Sequence, residues 1–388
     1  MTHTLQRARP GRIGLGPLPQ PLCTWSGHLV TSSTARTRDR LSVRREATMT
    51  IMDRVEGWEA VADEDGLFTT KEALGAGLSA RDLKSLVSRN RLIQLDRGWY
   101  SLPLAPLSPD EDTAWERRRQ LHAARTKAAA RARNGHAIAS HHSALVLNGL
   151  PAYAADLRQV HLTRTEDNWS RRRPGLTVHQ HVPGSLAADG VIDTGTAIVQ
   201  SGTTNGPMAA LIAADAALHR TLVSPSQLVE ACSRVSGPRT TAVRGALQCA
   251  DGRAESPGET RLRWALRLMG FTVTPQFAIV DGDFVAVVDF LIEEAALAIE
   301  FDGFVKYSRR SPYSFGATPA DIVVAEKVRE DHVRDLRYGM LRVIWPELEA
   351  TAPLRRRVDA AVARSAGWLS SPSRQVTTRA GSTLPPRD

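Results

Sequence analysis

Three carboxylates near the end of this chain stand where carboxylates are costly. Asp289, Glu300 and Asp302 interrupt two short runs, "FVAVVDFLI" and "AALAIEFDG", that are otherwise almost continuously apolar. Runs of that length and composition read as strands buried on both faces. An acid buried there needs a cation or hydrogen-bond donors to satisfy it. The strand period of two puts Glu300 and Asp302 on one face and Phe301 on the other. Asp289 precedes Glu300 by 11 residues, enough for a tight turn at Glu293–Glu294 to bring it alongside. Carboxylates clustered in this way hold Mg²⁺ or Mn²⁺, which polarises a phosphodiester and activates water. The chemistry expected of this region is therefore metal-dependent phosphodiester hydrolysis.

The elements that must position these acids are legible around them. "ESPGETRLRWALRLMGF" predicts a helix capped by Ser256, with Pro257 in its first turn, Leu262, Leu266 and Met269 as its buried stripe, and Gly270 as its stop. Glu259 lies in the first turn, where the helix dipole favours an acid, so capping accounts for it. "VTPQFAIV" reads as a strand before the two carboxylate-bearing ones, "AEKVREDHVRDL" as a helix after them, and "MLRVIW" as a closing strand.

A second constellation lies far upstream. "GLFTTKEALGAGLS" predicts a short helix capped near Thr69 or Thr70 and ended by Gly75 and Gly77. Ser79, with Asp82 three residues on, caps the helix "ARDLKSLVSRN", which buries Leu83, Leu86 and Val87. "RLIQLDRGWYSL" follows as two strand-like runs around a turn at Asp96–Gly98. With an amphipathic helix before them, around Val55, Trp58, Val61 and Ala62, these make a winged helix-turn-helix. Its third helix carries Arg81, Lys84 and Arg89 on the polar face, and Arg91 and Arg97 stand in the wing. Such a face suits a major groove and its phosphates; solvated surface is the plain alternative.

Between the two lies a middle unit. It opens with the very basic helix "DEDTAWERRRQLHAARTKAAARARNG", a candidate phosphate-facing surface. "RQVHLTRT" and "LTVHQHV" read as strands, and "PMAALIAADAALHR" and "SPSQLVEAC" as packed helices. His136, His141 and His142 invite a metal reading. The adjacent pair points in different directions on a helix, and no acid or cysteine lies nearby at ligand spacing, so Ser140 as a helix cap is preferred.

The acidic motif resembles the PD-(D/E)XK nuclease superfamily, in which an acid ends one hairpin strand and Glu-x-Lys stands on the next. "VVDFLIEEAALAIEFDG" followed by "EKVREDHVRDLRYGMLRVIWPEL" is similar to its branch related to very-short-patch-repair endonucleases, over roughly residues 255–348. The resemblance implies that Asp289 and Glu300 bind the metal, that Glu259 assists, and that the Phe301 carbonyl is a further ligand. Asp302 stands where the superfamily has its lysine, which makes it either a further ligand or a defect. Lys306 or Lys327 would then supply the missing cation. "DGLFTTKEALGAGLSARDLKSLVSRNRLIQLDRGWYSL" and "SHHSALVLNGLP" resemble AbiEi-type antitoxins of type IV toxin–antitoxin systems. That implies DNA as a partner through Arg81, Lys84, Arg89, Arg91 and Arg97, with a cognate toxin or self-association as the further contact.

The expected architecture is multi-domain α/β. A disordered leader (1–50) precedes a winged helix-turn-helix (53–107), a mixed α/β middle unit (109–252), a restriction-endonuclease-like α/β domain (255–350) and a disordered tail (370–388). Met49 or Met52 is an alternative start. No apolar run is long enough to span a membrane. Cys23, Cys232 and Cys249 are too few and too far apart for a disulfide framework, which fits a cytoplasmic protein. The formal net charge of +9 favours polyanionic partners. Two functions remain: a DNA-binding protein that cleaves phosphodiesters, or a non-catalytic repressor or antitoxin that keeps the nuclease fold as a scaffold.

Overall fold

The computed structural model describes residues 59–108, 113–303 and 319–369, and these fall within one compact unit. The expected leader, the tail, Cys23 and Lys306 lie outside the described residues. The fold is mixed α/β and built on three sheets.

The first sheet is antiparallel, in the order β1-β3-β2, with β1 at Leu67–Thr69, β2 at Ile93–Asp96 and β3 at Trp99–Ser101. Two helices, α1 (Thr70–Gly75) and α2 (Ala80–Ser88), lie between β1 and β2. Each begins with a capping box, Thr69 with Glu72 and Ser79 with Asp82, so both expected starts stand. The described part of the region expected as a first helix is a 3-10 turn, Glu59–Val61. Strand β1 was not expected: Leu67 and Phe68 belong to the apolar core and pair with β3 across the hairpin.

The middle sheet has the order β6-β7-β5-β4-β9-β8. Its strands are β4 (Ala137–Ala139), β5 (Val160–Arg164), β6 (Arg171–Arg173), β7 (Leu176–His179), β8 (Ala187–Ala188) and β9 (Val191–Ile192). The long helix α3 (Ala114–Arg131) precedes it, and α4 (His141–Leu147), α5 (Thr194–Asn205), α6 (Pro207–His219), α7 (Pro225–Arg234) and α8 (Thr240–Leu247) complete the unit. Helix α3 does not offer its whole basic face to phosphate. Arg131 pairs with Asp63 at 2.7 Å and with Glu72 at 2.5 Å, and Lys127 pairs with Asp65, so its end grips the acids of the first unit.

In the last unit, helix α9 (Pro257–Leu268) is followed by β10 (Thr274–Asp281), β11 (Phe284–Ile292) and β12 (Leu297–Asp302), then by helix α10 (Pro319–Asp335) and β13 (Gly339–Ile344). This is the expected order of helix, three strands, helix and strand. β12 pairs antiparallel with β11 and parallel with β13. Two cores explain the two-sided apolar runs. Leu297, Ile299 and Phe301 pack on one face with Leu262 and Leu266 of α9, whereas Ala298 packs on the other with Val333 of α10. A Cβ at Gly258 would run into the Phe301 ring, so glycine there lets α9 lie close on β12. After a short helix, α11 (Trp345–Leu348), comes α12 (Thr351–Leu369). It extends past the expected end at residue 350, and its Leu354, Val358 and Ala361 fill the first of these cores.

Candidate nucleic-acid interface and carboxylate centre

The capping box at Ser79 fixes where α2 starts, and burial of Leu83 and Leu86 fixes which side faces out. Arg81, Lys84 and Arg89 are exposed on the outward side, and Arg91 and Arg97 are exposed beside and within the β2–β3 hairpin. None of the five takes part in an ion pair among the described residues. A row of solvated cations on a capped helix beside a hairpin can meet a phosphate backbone without first breaking internal pairs.

The basic surface does not stop at this unit. Edge strand β6 consists of Arg171, Arg172 and Arg173, all exposed, and Arg173 Nη2 reaches Asp96 of the hairpin at 2.7 Å. Arg133, Arg171 and Arg173 line one pocket together with Leu176 and Val178. Burial and the neighbouring guanidiniums of Arg173, Arg164 and Arg171 push Arg133 below the usual arginine range, as crowded like charge does. A polyanion laid across these groups would relieve that repulsion. The run Arg171–Arg173 was visible as three consecutive arginines before Pro174 and Gly175. Its place next to the hairpin was not, because 77 residues separate Arg173 from Asp96.

In the last sheet, β11 pairs Phe290 with Ile299. Continuing that register by one residue sets Asp289 beside Glu300. Strand β11 changes face at this point: Ala286 and Val288 pack toward α10, whereas Phe290 and Ile292 pack toward α9. Residues two apart should face the same way, so the alternation slips at Asp289 and turns its side chain toward β12. The β10 residue at that level, Gln276, has φ +49°. Asp289 Oδ2 accepts a hydrogen bond from the Phe301 amide at 2.7 Å.

Glu300 is half-buried and held by two arginines. Arg329 of α10 donates to Oε1 at 2.6 Å, and Arg342, its register partner on β13, donates to Oε2 at 3.3 Å. Arg342 also reaches Glu326 at 2.8 Å and Glu330 at 2.7 Å. The hydrogen bond from Arg329 holds Glu326 below the usual carboxylate range. Oxygens of Glu300, Glu326 and Glu330 lie within 4.8 Å of one another. Asp302 is half-buried on the same face, opposite Ile344 of β13.

The other expected residues are placed less centrally. Glu259 is 1% exposed and works as a helix cap: Oε1 accepts from Ser256 Oγ at 2.7 Å and Oε2 from the Glu255 amide at 2.9 Å. Gln276 reaches Oε2 at 3.3 Å, which brings the start of α9 to the level of Asp289. Lys327 is exposed and makes no ion pair among the described residues. The α10 cation that reaches Glu300 is Arg329, two positions on and therefore about 200° around the helix. The order of elements pointed to this helix; its facing was decided by packing. Donors that are carboxylate oxygens throughout fit a hard divalent cation such as Mg²⁺ or Mn²⁺. The two guanidiniums compete for the same Glu300 oxygens.

Comparison with known proteins bears on the first unit. Residues 59–103 match the family described as "Transcriptional regulator, AbiEi antitoxin". The match begins at the 3-10 turn, spans both capped helices and the hairpin, and ends just past β3. No curated protein matches the chain. No helix among the described residues is long and apolar enough to cross a membrane.

Proposed function

We propose that the protein is a DNA-binding regulator that grips duplex DNA with α2, the β2–β3 hairpin and edge strand β6. The observation that carries this is the exposed set Arg81, Lys84, Arg89, Arg91 and Arg97, without ion pairs among the described residues and continued by Arg171 and Arg172 on the neighbouring edge. Similarity of residues 59–103 to AbiEi antitoxin regulators supports a promoter as the target and a toxin as a further partner. We further propose that the last unit hydrolyses phosphodiesters in DNA. In that role Asp289 and Glu300 would hold Mg²⁺ or Mn²⁺, with Asp302 beside them and Glu259 fixing the start of α9. Such an ion supplies Lewis-acid polarisation of the phosphoryl group and an activated water. Arg329, which reaches Glu300, would then supply the positive charge that Asp302 does not. The paired guanidiniums on Glu300 favour one alternative, a non-catalytic repressor whose last unit serves as a scaffold.

One measurement tests the shared interface and a second separates the two readings. Replacing Arg81 and Lys84 together by alanine should weaken duplex binding and lower the slope of log affinity against log salt by about 2, since each phosphate contact contributes about 0.9. Unchanged binding would remove α2 from the interface. Plasmid cleavage with Mg²⁺ and with Mn²⁺, run beside Asp289→Ala and Glu300→Ala, tests the hydrolase. Cleavage lost in both variants supports it, and a folded wild type that binds DNA but cuts nothing leaves the repressor.

A further inference from the structure

Five histidines meet behind the middle sheet, drawn from four elements. They are His122 of α3, His141 and His142 of α4, His161 of β5 and His179 of β7. Their hydrogen bonds sort them into two kinds. His122 has both ring nitrogens engaged, by the Leu157 carbonyl at 2.8 Å and Ser143 Oγ at 2.9 Å. His142 likewise meets the Gln159 carbonyl at 3.0 Å and Asn205 Nδ2 at 3.4 Å. Those two rings are parts of the core, satisfied by backbone and amide groups. The other three lean on one another: His161 Nδ1 stands 2.9 Å from His179 Nε2, and His141 Nδ1 stands 3.0 Å from Ser140 Oγ. Nε2 of His141 and Nε2 of His161 have no hydrogen-bond partner among the described residues.

We propose that His141, His161 and His179 form a binding site for a Zn²⁺-class transition-metal ion, with the fourth position open to a water molecule. Each ring offers one nitrogen, and all three nitrogens lie within 4.8 Å of one another. Nitrogens bound to a tetrahedral zinc are roughly 3.3 Å apart, so small side-chain rotations close the set. Imidazole without thiolate or carboxylate suits zinc, cobalt, nickel or copper rather than magnesium or calcium.

Three further observations support the site. His161 and His179 are held on adjacent parallel strands, where β5 and β7 pair Thr163 with His179 and His161 with Thr177, so their separation is set by the sheet. His141 sits at φ +52°, a left-handed conformation that side chains other than glycine avoid, and its amide is held by Gln200 Oε1 at 3.3 Å. Ser140 Oγ meets the ring nitrogen of His141 instead of capping α4, as an outer hydrogen bond to a metal-ligating histidine does. Burial also keeps these rings neutral, the form that ligates: His179 is pushed down to about 4, His161 to about 2 and His141 well below its ordinary value. The group is reachable, since His179 is half-buried and His141 and His161 keep 5% and 7% of their surface.

The test titrates the full chain, stripped with chelator, with Co²⁺ while visible d–d absorption is followed, then displaces it with Zn²⁺. One tetrahedral Co²⁺ per chain, displaced by one Zn²⁺, and a higher melting temperature with Zn²⁺ are expected. His179→Ala, at the most open of the three positions, should abolish all of these and still fold. Glu300→Gln should abolish none, which separates this site from the acidic one. A folded wild type with neither absorption nor a thermal shift in Zn²⁺ excess overturns the proposal. So does a signal that survives His179→Ala, because the ion then sits elsewhere.

Discussion

The middle sheet and the last sheet each place a cluster of polar side chains among apolar ones, and they satisfy them in opposite ways. Behind the middle sheet the groups are imidazoles, kept neutral by burial and hydrogen-bonded to carbonyls, hydroxyls and one another. On the last sheet they are carboxylates, paired with the forked guanidiniums of Arg329 and Arg342. Burial disfavours charge in both places. A histidine can escape by shedding a proton near neutral pH, whereas Glu326, facing Arg329 at 2.8 Å, gains more from staying ionised. The imidazole cluster is therefore left with open lone pairs, and the carboxylate cluster with oxygens already spoken for. A Zn²⁺-class ion would find its ligands waiting in the first; a hard cation would have to compete for its ligands in the second.

The largest expected effect is acid sensitivity, and it belongs to the middle sheet. Burial lowers His122, His142 and His179 to about 4 and His161 to about 2. As pH falls below about 6.5, the ordinary histidine value, the unfolded chain takes up protons that the folded chain refuses. Stability that is full above that value is then lost, by about 1.4 kcal/mol per pH unit for each such ring, until the folded value is reached. Glu326 behaves differently, because its depressed pKa makes its contribution fall only well into acid. Melting of the chelated protein between about pH 7.5 and about pH 5 should thus fall steeply. His142→Phe should reduce the slope by one proton's worth. A flat profile over that range would mean the imidazoles are not buried as neutral groups.

A smaller effect tests the other cluster. Arg329→Met leaves Glu300 and Glu326 short of a cation, at a cost of roughly 1–3 kcal/mol in urea denaturation. Adding Glu300→Gln should recover part of that loss, since the two residues act on each other. Additive losses would show that the pair contributes nothing as a pair. Arg329→Lys should fall between, because the ammonium keeps the charge and loses the fork.

The smallest effect is a control on which cation matters. Lys327→Ala should change stability by less than about 0.5 kcal/mol, as exposed substitutions do. It should also leave any metal-dependent cleavage unchanged where Arg329→Met reduces it. The reverse ranking would return Lys327 to the place where the sequence put it.

Local chemistry fixed a good part of this protein in its sequence. The helix start near Thr69, the capping pair at Ser79, the stop at Gly270, the hairpin turn at Asp96–Gly98 and the apolar runs of β11 and β12 depend on neighbours within a few residues, and each was legible. Asp289 and Glu300 stood out because an acid in an apolar run is anomalous wherever the run folds. Tertiary structure alone decided which long-range partners those anomalies meet. Glu300 faces Arg342 because β13 lies parallel to β12, and it faces Arg329 rather than Lys327 because packing of Val333 sets the rotation of α10. His141 meets His161 and His179 because two strands and a strained helix start converge, while the adjacent pair His141–His142, the obvious motif in the sequence, is split between two roles. Spacing along a chain reports which face of its own element a side chain takes; which other element covers that face is set by how sheets and helices bury their apolar area together.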